Sequence, residues 1–187
     1  MHDYQVLLDL ARQNFASVVW THKIQEKQAD IYETNYKKLE TINIILASLT
    51  SAGLLSLLFT ESSFCFKFIT TIISFFTLAI TGYLKCFDLR SLVLNHKSCA
   101  TNLLIIRNDM LKLIADIHLH QKSIQNLSDE FDSIMERLNK IYLEAPITTD
   151  NAVNKASIAL KLKKDYTYTD EEIDCFLPRE LKGKIRE

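Results

Sequence analysis

The sequence predicts an all-α membrane protein, in which a two-helix transmembrane hairpin joins long cytoplasmic helices that form a coiled coil or helical bundle. Only three Gly and two Pro occur in 187 residues, and tight turns between strands depend on these two residue types. Two long runs near the middle of the chain carry no charge, and each is long enough to cross a bilayer. After them, apolar residues repeat every seven positions, which indicates packed helices.

Residues 1–40 are predicted to form a cytoplasmic amphipathic helix that leads straight into the first span. Apolar residues recur along this arm at helical spacing, and they are Leu8, Ala11, Phe15, Val18, Ala29, Tyr32, Tyr36 and Leu39. The polar residues His22 and Gln25 interrupt the pattern. We therefore expect the arm to pack on the long helix that follows the spans.

Residues 41–84 are predicted to form the transmembrane hairpin, with spans at about 41–60 and 66–84. The run "TINIILASLTSAGLLSLLFT" at 41–60 has 20 uncharged positions, and a helix of that length covers about 30 Å, the thickness of the hydrocarbon core. The second run holds 17 uncharged residues from Phe68 to Leu84. Phe66 extends it, because Lys67 can reach outward to the headgroups. The stretch "TESSFCFK" at 60–67 is the predicted loop.

The distribution of Lys and Arg predicts that both termini face the cytoplasm, where positive residues flank membrane helices. Those nearest the two runs on this side are Lys23, Lys27, Lys37 and Lys38 before the first run and Lys85, Arg90 and Lys97 after the second. The loop between the runs holds only Lys67. We therefore expect this loop on the opposite side of the membrane.

Small and hydroxyl-bearing residues form two stripes within the spans. The first stripe recurs every four residues of the first span and consists of Ser48, Ala52 and Ser56. The second stripe shares one face of the second span and consists of Thr70, Ser74, Thr77 and Thr81. Such residues serve close helix packing and interhelical hydrogen bonds, whereas in an oligomer the hydroxyl face can line a water-filled path. Neither uncharged run, at 41–60 or at 68–84, contains an acidic or basic residue, which excludes a charged selectivity ring within them.

Residues 85–145 are predicted to form a heptad-patterned cytoplasmic helix, either long and kinked or folded back as a hairpin between 119 and 128. Its a and d positions form a seam that we expect to join copies of the chain, and they include Leu89, Leu92, His96, Leu103, Ile106, Met110, Leu113, Ile117, His120, Ile124, Leu127, Phe131, Ile134, Leu138 and Ile141. With a break, capped by Asn126 or Ser128, the same seam would serve an antiparallel pair within one chain. His96 and His120 are expected to fix register or oligomer number, with a protonation switch as the alternative.

Residues 146–187 are predicted to form a helical tail. A short amphipathic helix is expected to begin near Thr149 or Asp150, and Thr169 with Glu172 forms a capping box that opens another short helix. Mixed charges and the aromatic stretch "DYTYTD" favour a regulatory tail, and a solvated connector is the alternative.

The sequence contains no motif for catalysis, metal binding or a cofactor. It has no Gly-rich phosphate loop, no H-E-x-x-H and no nucleophile elbow, so we expect no enzymatic activity. The four Cys are scattered without metal-ligand spacing and are expected to be free thiols. The net charge of −1 argues against direct binding of nucleic acid.

The layout resembles the SLATT family, the SMODS- and SLOG-associating two-transmembrane effector domains. The resemblance covers roughly residues 5–145, with its extension into the tail left open, and rests on "YKKLETINIILASL" entering the first span and "LNHKSCATNLLIIRNDM" after the second. In the latter, His96, Ala100, Leu104 and Arg107 look like the family's helix after the membrane.

The resemblance implies a membrane effector of bacterial anti-phage defence, located in the inner membrane. Such an effector would oligomerise when triggered and permeabilise the membrane, which ends the infection by dormancy or death of the cell. The partners implied are the lipid bilayer, further copies of the chain, and a separately encoded sensor, nucleotide-signal synthase or reverse transcriptase. The competing class is a non-conducting membrane scaffold that anchors and oligomerises a soluble partner.

Overall fold

The computed structural model describes residues 2–59, 63–120 and 122–176. In these ranges the chain forms six α-helices and one π-helical turn, and it has no strand. The helices are α1 (His2–Phe59), α2 (Phe64–Phe87), α3 (Leu89–Leu119), α4 (Ile124–Glu144), α5 (Asp150–Ser157) and α6 (Asp170–Phe176), and the π-helical turn is Ile158–Leu162. The predicted all-α fold with two long apolar helices is thus confirmed.

Helix α1 is a single rod of 58 residues, about 87 Å long at 1.5 Å per residue. No Pro occurs within it and its only Gly is Gly53, so no residue before that point weakens the helix. The predicted continuity of the N-terminal arm with the first span is confirmed. The arm that packs in the bundle and the first apolar stretch are therefore parts of one continuous helix.

Helix α2 packs against the C-terminal part of α1 to form the hairpin. It begins at Phe64 and ends at Phe87, so it extends beyond the predicted span of 66–84 at both ends. Part of the predicted loop, residues 60–62, lies outside the described residues.

A single residue separates α2 from α3. Asp88 has a left-handed backbone (φ 36°, ψ 54°), and its carboxylate accepts a hydrogen bond from the amide of Ser91. Asp tolerates this conformation better than most residues because its short side chain bonds locally. Helices α2 and α3 therefore form one nearly continuous rod beside α1.

The heptad helix is broken, and the break lies at 120–123. His120 ends α3 in a left-handed conformation (φ 54°) and donates its amide to the carbonyl of Ile117. Ser123 caps α4 by accepting from the amide of Asn126, so Ser123 is the cap rather than the predicted Asn126 or Ser128. The earlier cap lets Ile124 and Leu127 join the helix and reach the core.

The apolar core lies between α1, α3 and α4, which form an up-and-down bundle. Its buried members are Leu7, Ala11, Val18, Cys99, Leu103, Ile106, Met110, Leu113, Ile117, Leu127, Ile134 and Leu138. A fully buried Leu or Ile side chain stabilises a fold by about 1.5–3 kcal/mol. The core is therefore the main source of stability of the bundle.

The predicted heptad seam is used inside one chain. Its buried members are Leu89, His96, Leu103, Ile106, Met110, Leu113, Ile117, Leu127, Ile134 and Leu138. Its half-buried members are Leu92, Ile124, Phe131 and Ile141. His120 is exposed, because the helix ends before it, and its ring stacks on Tyr4 at 4.9 Å between ring centroids. A seam between copies of the chain stays a prediction.

The tail returns along α1 after α4 ends. Helix α5 packs on α1, and the π-helical turn follows it without a break. The predicted capping box is confirmed: the amide of Thr169 donates to Glu172 at 2.8 Å, and the amide of Glu172 donates to the hydroxyl of Thr169 at 3.3 Å. Residues 177–187 of the predicted tail lie outside the described residues.

Candidate functional site

The hairpin exposes apolar side chains around much of its circumference. Ile44 is 61% exposed on α1, and Phe75 and Leu78 are 67% and 72% exposed on α2. Soluble monomers rarely expose a contiguous apolar surface larger than a few hundred Å². Both helices are long and apolar enough to cross a membrane, and their apolar stretches are scarcely buried. The hairpin is therefore not the core of a soluble domain, and its surface suits lipid.

A close contact between the two spans joins Gly53 of α1 to Thr70 of α2. Both residues are buried. A Cβ atom placed on Gly53 would lie 2.9 Å from both Cγ2 and Oγ1 of Thr70, which is closer than van der Waals contact. Only glycine fits this position, and the absence of its side chain lets the two backbones pack closely.

The rest of the hydroxyl stripe of α2 lies partly against α1. The hydroxyl of Thr81 lies 3.1 Å from Oδ1 of Asn43 on α1 and 2.8 Å from the carbonyl of Thr77. Thr77 is half-buried and donates to the carbonyl four residues before it. Ser74 is exposed and borders a surface groove of about 440 Å³. The two ends of the stripe thus contact α1, while Ser74 opens to the surface.

The small-residue stripe of α1 lies on the surface of the hairpin. Ser48 and Ala52 are exposed and Ser56 is half-buried. The hydroxyl of Ser48 donates to the carbonyl of Ile44 at 2.8 Å, so it is satisfied without a partner helix. The contact with α2 is made by Gly53, next to this stripe, and packing of the stripe against another helix stays a prediction.

A polar layer joins α1 to the tail inside the bundle. Lys23, with a side chain only 3% exposed, forms ion pairs with Glu26 at 2.9 Å and with Asp165 at 3.1 Å. The hydroxyl of Tyr166 donates to Glu26 Oε2 at 2.7 Å and lies 3.1 Å from Nδ1 of His22. A buried ammonium is tolerated only where such partners replace water. The tail residues are therefore part of the polar interior of the bundle.

These contacts shift the pKa values of the layer. Burial lowers the pKa of His22, against the opposing charge of Glu26. Burial by itself would lower the pKa of Lys23, but hydrogen bonds with Tyr166 and Glu26, among others, raise it above its usual value. Burial would raise the pKa of Glu26, but bonds from Tyr166 and Lys23 lower it. At neutral pH the layer therefore holds a charged Lys23, an ionised Glu26 and a neutral His22.

Two buried Gln residues of α1 connect α3 to the tail. Nε2 of Gln25 donates to the carbonyl of Pro146 at 3.1 Å, and Oε1 of Gln25 lies 2.5 Å from Nδ1 of His96. Since that carbonyl can only accept, Oε1 must face the ring, and Nδ1 of His96 carries the proton. Oε1 of Gln28 accepts from the amide and the hydroxyl of Thr149 at 2.9 and 2.8 Å. Burial lowers the pKa of His96, so its ring is neutral at neutral pH.

The sequence pattern indicates only part of these polar contacts between α1 and the tail. His22 and Gln25 were identified only as interruptions of the apolar pattern, although both are buried and bonded. Asp165 and Tyr166 were not identified as individual functional residues. The sequence feature that indicates them is the aromatic and acidic stretch that contains them, taken together with Lys23, a positively charged residue at a buried position of α1.

Among the described residues, no three His, Cys, Asp or Glu side chains lie close enough to hold a metal ion. Cys65, Cys86 and Cys175 are free and exposed, and Cys99 is free and buried. Burial raises the pKa of the Cys99 thiol, which makes it a poor nucleophile.

The sequence model of SMODS and SLOG-associating 2TM effector domain family 4 matches residues 7–172. The chain belongs to this SLATT family. The matched range includes the hairpin, the bundle and the polar layer. The tail as far as Glu172 therefore belongs to the domain, a possibility that the resemblance over residues 5–145 had left open. No curated protein and no solved structure matches the chain significantly. Membership implies a membrane effector of defence systems, because the family is defined by its two-transmembrane effectors.

Proposed function

We propose that this SLATT protein oligomerises in the inner membrane of a bacterium and permeabilises it when phage infection is sensed. A separately encoded sensor, nucleotide-signal synthase or reverse transcriptase supplies the trigger. The observation that carries the proposal is the hairpin of exposed apolar helices, whose first helix, α1, continues without interruption into the helical bundle. Both termini lie in the cytoplasm, since the Lys and Arg residues flank the cytoplasmic ends of the spans.

The hydroxyl stripe of α2 lines the path by which water and ions cross the membrane. In the resting arrangement Thr70 and Thr81 face α1. The hydroxyls of Thr70, Thr77 and Thr81 each reach the carbonyl four residues earlier, at 2.8–3.0 Å. Because these donors are satisfied within α2 itself, the helix can rotate away from α1 without leaving unpaired donors in lipid. In the active oligomer the stripe then lines a path of weak ion selectivity.

Assembly proceeds through surfaces that one chain leaves free. The heptad seam is occupied within the chain, so assembly through it would require α1 or α4 to leave α3. The exposed face around Ser48 and Ala52 allows close contact between copies without such unfolding. Contacts between copies can shift the equilibrium toward the active state only by favouring that state over the resting one.

Replacing the hydroxyl stripe by apolar isosteres is expected to abolish membrane depolarisation. The test variant is Thr70→Val, Ser74→Ala, Thr77→Val and Thr81→Val combined, which keeps the helix volume nearly unchanged. The measurement is the signal of a membrane-potential dye in cells that overexpress the protein, at equal membrane content. A path lined by hydroxyls requires groups that water and ions can contact, and the variant removes them.

The control is Thr71→Val with Ser51→Ala, which removes two exposed hydroxyls outside the stripes. Thr71 lies about 90° around α2 from the centre of the stripe. The control is expected to depolarise cells as the natural sequence does. Undiminished depolarisation by the four-site variant would contradict the proposed path. If the natural sequence is inserted and oligomeric but never depolarises cells, the non-conducting scaffold is the correct function.

A further inference from the structure

The tail residues Asp165 and Tyr166, which we call the tail clamp, dock between the two rods that lead to the membrane. Asp165 forms an ion pair with the buried Lys23 of α1 at 3.1 Å. The ring of Tyr166 lies against Nζ of Lys23 at 4.1 Å and against the guanidinium of Arg107, on α3, at 4.7 Å. Cations that pack on an aromatic face attract it. One side chain thus contacts α1 and α3 at once.

The hydroxyl of Tyr166 adds polar bonds to this contact. It donates to Glu26 Oε2 at 2.7 Å and lies 3.1 Å from Nδ1 of His22, and both partners are on α1. Hydrogen bonds to charged groups are the stronger ones in proteins. The two tail residues therefore provide a bonding partner for each polar residue of α1 in this layer: Tyr166 for His22 and Glu26, and Asp165 for Lys23.

The backbone of the clamp is held in an unusual conformation. Lys164 and Tyr166 have positive φ angles of 54° and 72°, which bulky residues rarely adopt. The segment follows a π-helical turn, Ile158–Leu162, which is itself an uncommon arrangement. Such a backbone persists only while surrounding contacts hold it. Loss of the side-chain contacts will therefore favour release of the segment.

The clamp closes one side of an apolar groove of about 450 Å³. Phe15, Val19 and Trp20 of α1 line it, together with Leu111 of α3 and Leu160 of the π-helical turn. Lys161 of the turn lies 5.4 Å from the ring of Trp20. Trp20 is the single Trp of the chain, so its fluorescence reports on whether the tail covers the groove.

We propose that the tail clamp is an autoinhibitory contact, which holds α1 and α3 together in the resting state and must be released before the spans can rearrange. This inference rests on the proposed function only for the effect that release of the clamp has on the membrane. The contact between the clamp and the two rods is independent of that function. α1 runs unbroken into the first span and α3 is one residue from the second. A contact that joins the two rods therefore opposes any rotation of α2 relative to α1.

The test variant is Asp165→Asn combined with Tyr166→Phe, in the full chain. It removes the ion pair and the hydroxyl but keeps the ring, and Glu26 still neutralises Lys23. The matched control is Glu171→Gln combined with Tyr168→Phe, where Tyr168 is 65% exposed. Far-ultraviolet circular dichroism verifies that each variant retains its helices. Two readouts follow: quenching of Trp20 by acrylamide in detergent micelles, and depolarisation of cells over a series of expression levels.

The clamp variant is expected to raise the population of the released tail about tenfold, since bonds to charged groups are lost. Quenching of Trp20 should then increase, and depolarisation should begin at a lower expression level, while the control changes neither. Unchanged quenching would contradict the docked clamp. Increased quenching with an unchanged depolarisation threshold would reduce the clamp to a structural contact. Absence of depolarisation in all variants, the natural sequence included, would contradict the proposed function, and the quenching would still decide whether the clamp docks.

Discussion

Leu103→Ala is expected to destabilise the bundle of α1, α3 and α4 by about 2–5 kcal/mol, the range for a buried Leu truncated to Ala. Leu103 is fully buried among the core residues of α1, α3 and α4, and the cavity left behind cannot be filled by water. Since small domains are stable by only about 5–15 kcal/mol, this loss is a large share of the total. Thermal unfolding of the full chain in detergent, followed by circular dichroism, measures it.

Leu94→Ala is the matched control, because it makes the same truncation on the same helix at a side chain that is 60% exposed. It is expected to change stability by less than about 0.5 kcal/mol. Equal losses for Leu94→Ala and Leu103→Ala would show that α3 does not pack with α1 and α4 as described. A seam formed between copies would instead make the effect of Leu103→Ala depend on protein concentration.

Gly53→Ala is expected to destabilise the hairpin by about 1–3 kcal/mol, the usual cost of inserting a methyl group into a tight contact. The new Cβ would lie 2.9 Å from two atoms of Thr70. Thr is branched at Cβ and cannot turn away easily, so the helices must separate. Elsewhere in a helix the same change would be favourable by up to about 1 kcal/mol. The loss of melting temperature in detergent micelles is the measurement.

Thr70→Ala in the Gly53→Ala background should restore most of that stability, because it removes both clashing atoms. Such a coupling between two residues is what a double-mutant cycle detects. Gly82→Ala serves as the control: it lies on α2, and a Cβ added there meets nothing within 4 Å. If Gly53→Ala proved as harmless as Gly82→Ala, the close approach of the spans would be refuted.

The helices could be predicted from the sequence, because the pattern of residues that indicates each helix lies within a single segment of the chain. The length of the uncharged runs gives the spans, and the scarcity of Gly and Pro gives the long helices. The break near 120 was predicted only as an interval, since several residues there can cap a helix. Ser123 is the cap because it starts α4 early enough for Leu127 to reach the core.

The partner of the heptad seam could not be predicted, because an apolar a and d pattern is the same for a partner within the chain or outside it. The polar layer was missed for a related reason. Lys23 and Asp165 are 142 positions apart, and His96 and Gln25 are 71 apart, so their proximity depends on how four helices fold back on one another. A single sequence shows such residues only as defects in an apolar stripe.

Two helices that cross the membrane, with the loop outside and both termini in the cytoplasm, are the central claim, and thiol labelling tests it most directly. Cys65 lies at the loop end of α2 and Cys175 on α6, and both are exposed. Variants that keep one Cys each are treated with a membrane-impermeant maleimide, in intact spheroplasts and in inside-out vesicles. We predict that Cys65 reacts only in spheroplasts and Cys175 only in vesicles. Labelling of Cys65 to the same extent in both preparations, or of Cys175 in intact spheroplasts, would contradict the account.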